Sequence, residues 1–205
     1  MKERAKAILD FWFVESSLED LFKRSKDFDQ KIRNRFMSDY EKAIDNQYED
    51  WQDDPESCVA LIILLDQFSR NLFRDDKQAF AQDYKARLIT NEAVDRGYLE
   101  DINLDQKHFM LLPLLHSEDI SDHVYAQNLC DAYLKNHPQF IDIKKRGMII
   151  LTQLKNSGVI LTATKSWAAL QLQRKNCSYK NPILLGSKYF QNKKIFLINI
   201  PRGWW

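Results

Sequence analysis

The first 96 residues of this 205-residue chain contain no glycine. Tight β-hairpin turns need residues that adopt positive φ, and glycine is the commonest of these. Glycine and proline number only five each in the whole chain, so antiparallel sheets would have little turn chemistry available. Apolar side chains instead recur at spacings of three and four, the pattern of helices that bury one face. The sequence therefore predicts an all-α fold.

Helical segments with short connections follow one another as far as residue 150. Short connections favour antiparallel neighbours, so we expect stacked helical hairpins similar to a tetratricopeptide-repeat superhelix, although no repeat of about 34 residues is visible. The longest apolar run, Val59 to Leu65, is too short to span a bilayer, and the N terminus lacks the features of a signal peptide. We expect a cytoplasmic protein without a membrane span.

The stretch CVALIILLDQFSRNLFR, residues 58 to 74, joins the longest apolar run to an unusual polar set. A regular helix turning by about 100° per residue would separate an apolar side from a polar side. The polar side would consist of Asp66, Gln67, Arg70, Asn71 and Arg74. Solvated faces are usually rich in Lys and Glu, whereas these groups suit bidentate and networked hydrogen bonds. We expect them to line a polar pocket; an ordinary solvated face is the alternative.

A second polar group, His116, Ser117, Glu118 and Asp119, precedes another predicted helix. Ser117 or Asp119 suits the N-cap of that helix. A Ser-His-Asp triad is disfavoured because sequence neighbours point apart and no Gly-x-Ser-x-Gly motif occurs. His116, Glu118, Asp119 and His123 also lack the spacing of a zinc motif. We therefore predict neither a metal nor a cofactor.

We expect the two polar groups to meet, with Asp66 or Glu118 paired to Arg70 or Arg74. In an enzyme for a small polar or anionic metabolite, the two arginines would clamp the anion. His116 would act as acid or base, and Asp66 or Glu118 would orient it. The further binding residues would be Gln67, Asn71 and Ser117.

Trp12, within the aromatic run FWF near the N terminus, is a candidate for stacking on a ligand, with core packing as the alternative. The alternative function is a helical module that binds a peptide or a partner protein without chemistry. A closed pocket that contains both polar groups would favour the enzyme, and an open groove would favour the module.

At these residues the chain resembles a known family. ILDFWF at 8 to 13, LDQFSRNLFR at 65 to 74, AFAQD at 79 to 83 and LPLLHSED at 112 to 119 are similar to motifs of the bacterial domain-of-unknown-function family 924. The resemblance covers about residues 5 to 150 and implies an all-α fold without an established activity. The shared polar positions that it implies are Asp66, Gln67, Arg70, Asn71, Arg74, His116, Ser117 and Glu118.

The charge of the chain changes abruptly after Asp142. All 29 acidic residues lie at or before this position, so residues 143 to 205 hold 12 basic residues and no acidic one. A basic tail with interleaved Trp and Tyr is typical of nucleic-acid or membrane-surface contact. Helical periodicity fades there, however. The motif Phe-Gly-Arg-aromatic-Pro-His-Arg-Asn, which the resemblance implies after the helix around 149 to 154, is also missing.

Codon choice indicates a different origin for this tail. The codons AAT TCG GGC GTT ATC CTC ACC GCA ACG encode residues 156 to 164. Read from the third base, the same nucleotides encode FGRYPHRN, the missing motif. We therefore interpret residues 151–205 as an aberrant, frameshifted and poorly packed tail that follows one all-α domain at 1–150. Nucleic acid is an expected partner only if the tail is genuine.

Overall fold

The computed structural model describes residues 1–156, and this part of the chain contains helices and no β-strand. The prediction of an all-α fold is therefore confirmed. The α-helices of this part are α1 (Glu3–Asp10), α2 (Leu18–Phe22), α3 (Lys26–Ile44), α4 (Pro55–Ile62), α5 (Ser69–Leu72), α6 (Asp83–Asp95), α7 (Leu104–Leu115), α8 (Ile120–Tyr133) and α9 (Phe140–Asn156).

Local sequence signals set several of the helix ends. Pro55 occupies the first turn of α4, where its missing N–H costs nothing. Asn103 and Gln106 form a capping box at the start of α7. Asp119 caps α8 by accepting from the backbone N–H of Ser121 at 2.8 Å. Gly97 adopts φ 82° just after α6, as expected of a C-terminal cap.

The central helix α4 is surrounded by other helices. It packs against α1, α6 and α7, and every residue from Ser57 to Ile62 is buried. A helix that is apolar all round is stable only in such an environment. The apolar half of the 58–74 stretch therefore forms the middle of the core.

The polar half of this stretch is not a regular α-helix, so the expected spacing of about 100° per residue is wrong there. α4 passes into a π-helical segment, Ile63–Phe68, before α5 begins. Two side chains donate hydrogen bonds to one backbone carbonyl of this segment. Ser69 Oγ donates to the Asp66 carbonyl at 3.0 Å, and Arg70 donates to the same oxygen. α5 ends at Leu72, so Arg74 lies beyond the helix.

α7 continues through Pro113 to Leu115, although proline usually ends or kinks a helix. A proline inside a helix removes one backbone hydrogen bond. The burial of Leu114 and Leu115 offsets this loss. His116 then follows as the helix cap and donates its N–H to the Leu112 carbonyl at 2.9 Å, so α7 fixes the position of His116.

α9 packs along α8 and extends past residue 150, with Leu151 and Leu154 buried. The expected domain boundary at 150 therefore falls within a helix. The prediction of an aberrant tail concerns mainly residues 157–205, which lie outside the described residues. The likeness to tetratricopeptide-repeat superhelices also stays a prediction. Within residues 1–156, no helix has both the length and the apolar character needed to cross a membrane.

Candidate functional site

His116 and Asp66, 50 positions apart in sequence, meet in the fold. His116 Nδ1 lies 2.9 Å from an Asp66 carboxylate oxygen. The Asp66 side chain is almost completely buried, and that of His116 is 13% exposed. α7 therefore brings the second polar group against the first, as the sequence predicted for His116 and Asp66.

The charge state of Asp66 decides which nitrogen of His116 carries the proton. Burial would raise the pKa of Asp66, but the neighbouring Arg70 and His116, with hydrogen bonds from His116 and Gln67, lower it to about 2. An ionised carboxylate can only accept hydrogen bonds. Arg70 Nη2 also lies 3.3 Å from His116 Nδ1, but the carboxylate is closer, at 2.9 Å. A neutral His116 therefore donates Nδ1–H to Asp66, which leaves the lone pair of the ring on Nε2.

Arg70 links two carboxylates that approach from different helices. Its guanidinium lies 3.3 Å from Asp66 and makes two contacts of 3.1 Å with Asp83 on α6. Burial raises the pKa of Asp83, and the charge of Arg70 opposes that rise. With 6% of its surface exposed, Arg70 is itself buried, and it is held by one buried carboxylate, Asp66, and one partly exposed carboxylate, Asp83. The predicted ion-pair network is present around this side chain.

Arg74 and Asn71 share a different partner, Asp29 on α3. Arg74 donates from Nε and, at 2.7 Å, from Nη2, while Asn71 donates at 2.8 Å. A bidentate pair of this kind fixes the plane of the guanidinium. Arg74 and Arg70 therefore belong to neighbouring but separate carboxylate clusters.

A cavity of about 100 Å³ lies between the α5 region, α7 and α9. Five of the predicted site residues line it: Gln67, Arg70, Asn71, Arg74 and His116. Arg146 and Asp142 of α9 complete the charged part of the wall. The lining thus carries three guanidinium groups and one carboxylate, while Asp29, Asp66 and Asp83 hold two of the guanidiniums from behind.

The remaining predicted residues lie elsewhere. Ser117 donates to Asp122 at 2.6 Å, and Arg87 donates to both of them, which forms a separate cluster on α8 and α6. Glu118 is exposed, and no hydrogen bond joins it to the cavity residues in the described part of the chain. Asp66, not Glu118, thus orients His116; a binding role for Ser117 stays a prediction.

Trp12 lies in the aromatic core, with 1% of its surface exposed. Its ring centroid is 5.5 Å from those of Phe68 and Phe109 and 6.3 Å from that of Phe28. These side chains pack around the indole, which is the core-packing alternative named above. Stacking on a ligand stays a prediction.

Sequence reasoning missed four charged residues of the site: Asp29, Asp83, Asp142 and Arg146. Asp83 ends the motif AFAQD and could have been found there. Asp29 gave no signal, because α3 also carries many solvated charges. Arg146 was grouped with the basic tail by its charge alone, whereas it belongs to α9 and lines the cavity. Within residues 1–156, no group of three or more His, Cys, Asp or Glu is arranged to hold a metal ion.

The fold and the site together define an all-α protein in which a His–Asp pair lies at an arginine-lined cavity. The sequence matches the model of the family described as "Bacterial protein of unknown function (DUF924)" over residues 8–166. The chain belongs to this family, and the match extends past residue 150, where the resemblance described from the motifs ends.

Among solved structures, a protein of unknown function from Agrobacterium tumefaciens is similar, with a TM-score of 0.63 and 30% sequence identity. The similarity covers 72% of this chain and 82% of that chain. No protein with a curated description matches the sequence.

Proposed function

We propose that this protein is an enzyme that acts on a small polar metabolite with an anionic group. The carrying observation is the 2.9 Å contact between His116 and the buried, ionised Asp66 at the wall of an arginine-lined cavity. A carboxylate that fixes the tautomer of a histidine is a recurrent device for general acid–base catalysis.

The charge of the lining supports an anionic substrate. Three guanidiniums and one carboxylate face the cavity. Each guanidinium has five N–H donors, so donors remain for an anionic group besides those that bond to Asp29, Asp66 and Asp83. The carboxylates behind Arg70 and Arg74 keep both groups oriented before a ligand enters, which reduces the entropy lost on binding. Gln67 and Asn71 supply neutral donors and acceptors beside them.

The cavity holds members of both polar groups, which favours the enzyme over a peptide-binding module. A screen of the purified full-length protein against pooled cellular metabolites tests this choice, with mass spectrometry as the readout. We expect one acid to be consumed and a product to form. Retention of an unchanged ligand would support the module, and the absence of both turnover and retention would contradict the proposal.

The role of His116 is tested with the substrate that the screen identifies. His116→Gln should lower kcat by about 100-fold or more, because general acid–base catalysis contributes that much. His123→Gln is the matched control, since His123 is buried on α8 and is bonded to the Ser117 carbonyl, outside the cavity. Equal turnover by the two variants would exclude His116 as the proton-transfer residue.

A further inference from the structure

A second cavity, of about 140 Å³, adjoins the arginine-lined one. Its wall is mainly aromatic and aliphatic, with Asp105, His108 and His137 among the polar groups. Leu21, Phe22, His108 and Gln139 line both cavities. The two cavities therefore share part of their walls.

Trp12 lines the second cavity with a buried hydrogen-bond donor that lacks an acceptor. Its Nε1–H is inaccessible to solvent and has no hydrogen-bond partner within the part of the chain that the structure describes. Buried Trp N–H groups usually find a partner, so an unpaired one calls for an explanation. Phe68 and Phe109 pack around the ring, so this N–H is the polar group of Trp12 that the described residues leave without an acceptor.

His108 is a second hydrogen-bonding group without a protein partner at the boundary between the cavities. Burial, reinforced by the charges of His137 and Arg146, lowers the pKa of His108 to about 3, so the ring is neutral at neutral pH. The nitrogens of His137 are engaged by Asp105 and by the backbone of Gln139, both at 3.1 Å. Among residues 1–156, those of His108 have no such bond, so His108 can donate one hydrogen bond and accept another.

We propose that the second cavity holds the body of the ligand whose anionic group lies at the arginines, and that this body is a ring with a hydrogen-bond acceptor for Trp12 Nε1–H. The inference rests on the proposed function and narrows it to small acids that carry a heteroaromatic or carbonyl-bearing ring. A ring without an acceptor would fill the same space but leave the Trp12 donor unpaired. Binding sites strongly disfavour ligands that leave a buried polar group unpaired.

Phenylpropanoate and the three pyridylpropanoate isomers test this proposal, because they differ only in the presence and position of one ring nitrogen. We expect at least one pyridyl acid to bind about tenfold more tightly than the phenyl acid. The same acid should move the indole N–H resonance of Trp12 downfield in nitrogen–proton correlation spectra of the full-length protein, and the phenyl acid should not. The Trp12 resonance is assigned from its loss in Trp12→Phe.

The advantage of the pyridyl acid should disappear in Trp12→Phe and persist in Trp51→Phe. Trp51 is a matched control, since it is buried, stacks on Tyr48 at 4.0 Å and lines neither cavity. If Trp12→Phe does not fold, the Trp12 resonance is assigned from its nuclear Overhauser contacts with Phe68 and Phe109, and its shift in the wild-type protein decides. Pyridyl acids that neither bind more tightly than the phenyl acid nor move this resonance would overturn the ring subsite.

The Arg74→Gln variant distinguishes a failure of the ring subsite from a failure of the proposed function. If all the acids bind with equal affinity and Arg74→Gln weakens each of them, the anion site stands and only the ring subsite is wrong. If they bind and Arg74→Gln weakens none of them, the proposed function is contradicted. If none of the acids binds, both proposals fail.

Discussion

Arg70 has two carboxylate partners, Asp66 and Asp83, and little contact with solvent. Removing a buried charge leaves its partners uncompensated, which is costlier than losing an exposed pair. We expect Arg70→Ala to lower the free energy of unfolding by about 3 kcal/mol.

Arg24→Ala is the matched control for this change, because Arg24 is half exposed and makes a single ion pair of 2.6 Å with Asp75. Exposed pairs contribute less than about 1 kcal/mol. Denaturant titration of both variants measures the difference. Equal losses would mean that the network around Arg70 is not buried in solution.

His108 makes the stability of the protein depend on pH. Between pH 6.5, its ordinary pKa, and about 3, the unfolded chain binds a proton at this residue that the folded chain does not. The unfolded state then holds more protons, so the free energy of unfolding falls as the pH falls through this window. One such proton contributes at most about 1.4 kcal/mol per pH unit.

His108→Gln should reduce this slope between pH 6.5 and about 4.5; carboxylates also titrate in the lower part of this range, but they are the same in both proteins and cancel from the difference. Lys31→Gln is the control, because Lys31 is exposed and its removal leaves His108 in place. Urea titrations at several pH values give the slope. An unchanged slope in His108→Gln would show that His108 titrates alike in the folded and unfolded chains.

At the scale of single residues, the residue types in the sequence predicted part of the site. A set of Asp, Gln, Asn and Arg beside an apolar run indicated a network, and the contact of Asp66 with Arg70 and His116 is part of it. Asp29, the partner of Arg74, could not be predicted, because a pairing over 45 positions depends on how α3 packs.

At the scale of helices, Gly147 governs how closely α9 approaches α8. A Cβ added there would lie 1.9 Å from Gln127 Nε2 and 3.3 Å from a Leu115 methyl carbon. Alanine normally stabilises a helix interior by about 1 kcal/mol relative to glycine. Here Gly147→Ala should change the stability by less than about 0.5 kcal/mol, because the gain is offset by the movement of the Gln127 amide, the end of a flexible side chain, out of the way.

In a Gln127→Ala background, Gly147→Ala should be stabilising. A double-mutant cycle by thermal or urea unfolding measures the coupling. Additive effects of the two substitutions would contradict the close packing of α8 and α9 at this point.

Periodicity located most helices, and capping residues located many of their ends. Apolar periodicity did not predict the π-helical segment at Ile63–Phe68 or the passage of α7 through Pro113. The same apolar residues suit α-helical and π-helical turns. Which of the two forms depends also on the Ser69 and Arg70 side chains, which donate hydrogen bonds to the Asp66 carbonyl. The burial of Leu114 and Leu115, which offsets the cost of proline, is likewise a tertiary effect.

At the scale of the whole molecule, the scarcity of glycine and the helical periodicity were sufficient to predict the fold class. The interpretation of residues 151–205 as a frameshift product is tested by the gene. We expect the nucleotides read from the third base of the Asn156 codon to encode FGRYPHRN or a near variant. Any other sequence would contradict the frameshift, and the basic, aromatic tail would then be a candidate for nucleic-acid contact.

The pairing of His116 with Asp66 is tested most directly by nitrogen NMR of the histidine rings, because the two nitrogens of a neutral imidazole have different shifts when one carries the proton. At about pH 8 we expect His116 to be protonated on Nδ1 in the wild-type protein, since only this tautomer can donate to the Asp66 carboxylate. In Asp66→Asn the amide can donate to Nδ1, so the proton should move toward Nε2. A wild-type ring protonated on Nε2, or a tautomer that Asp66→Asn leaves unchanged, would contradict the assignment of His116 as the proton-transfer residue of the cavity.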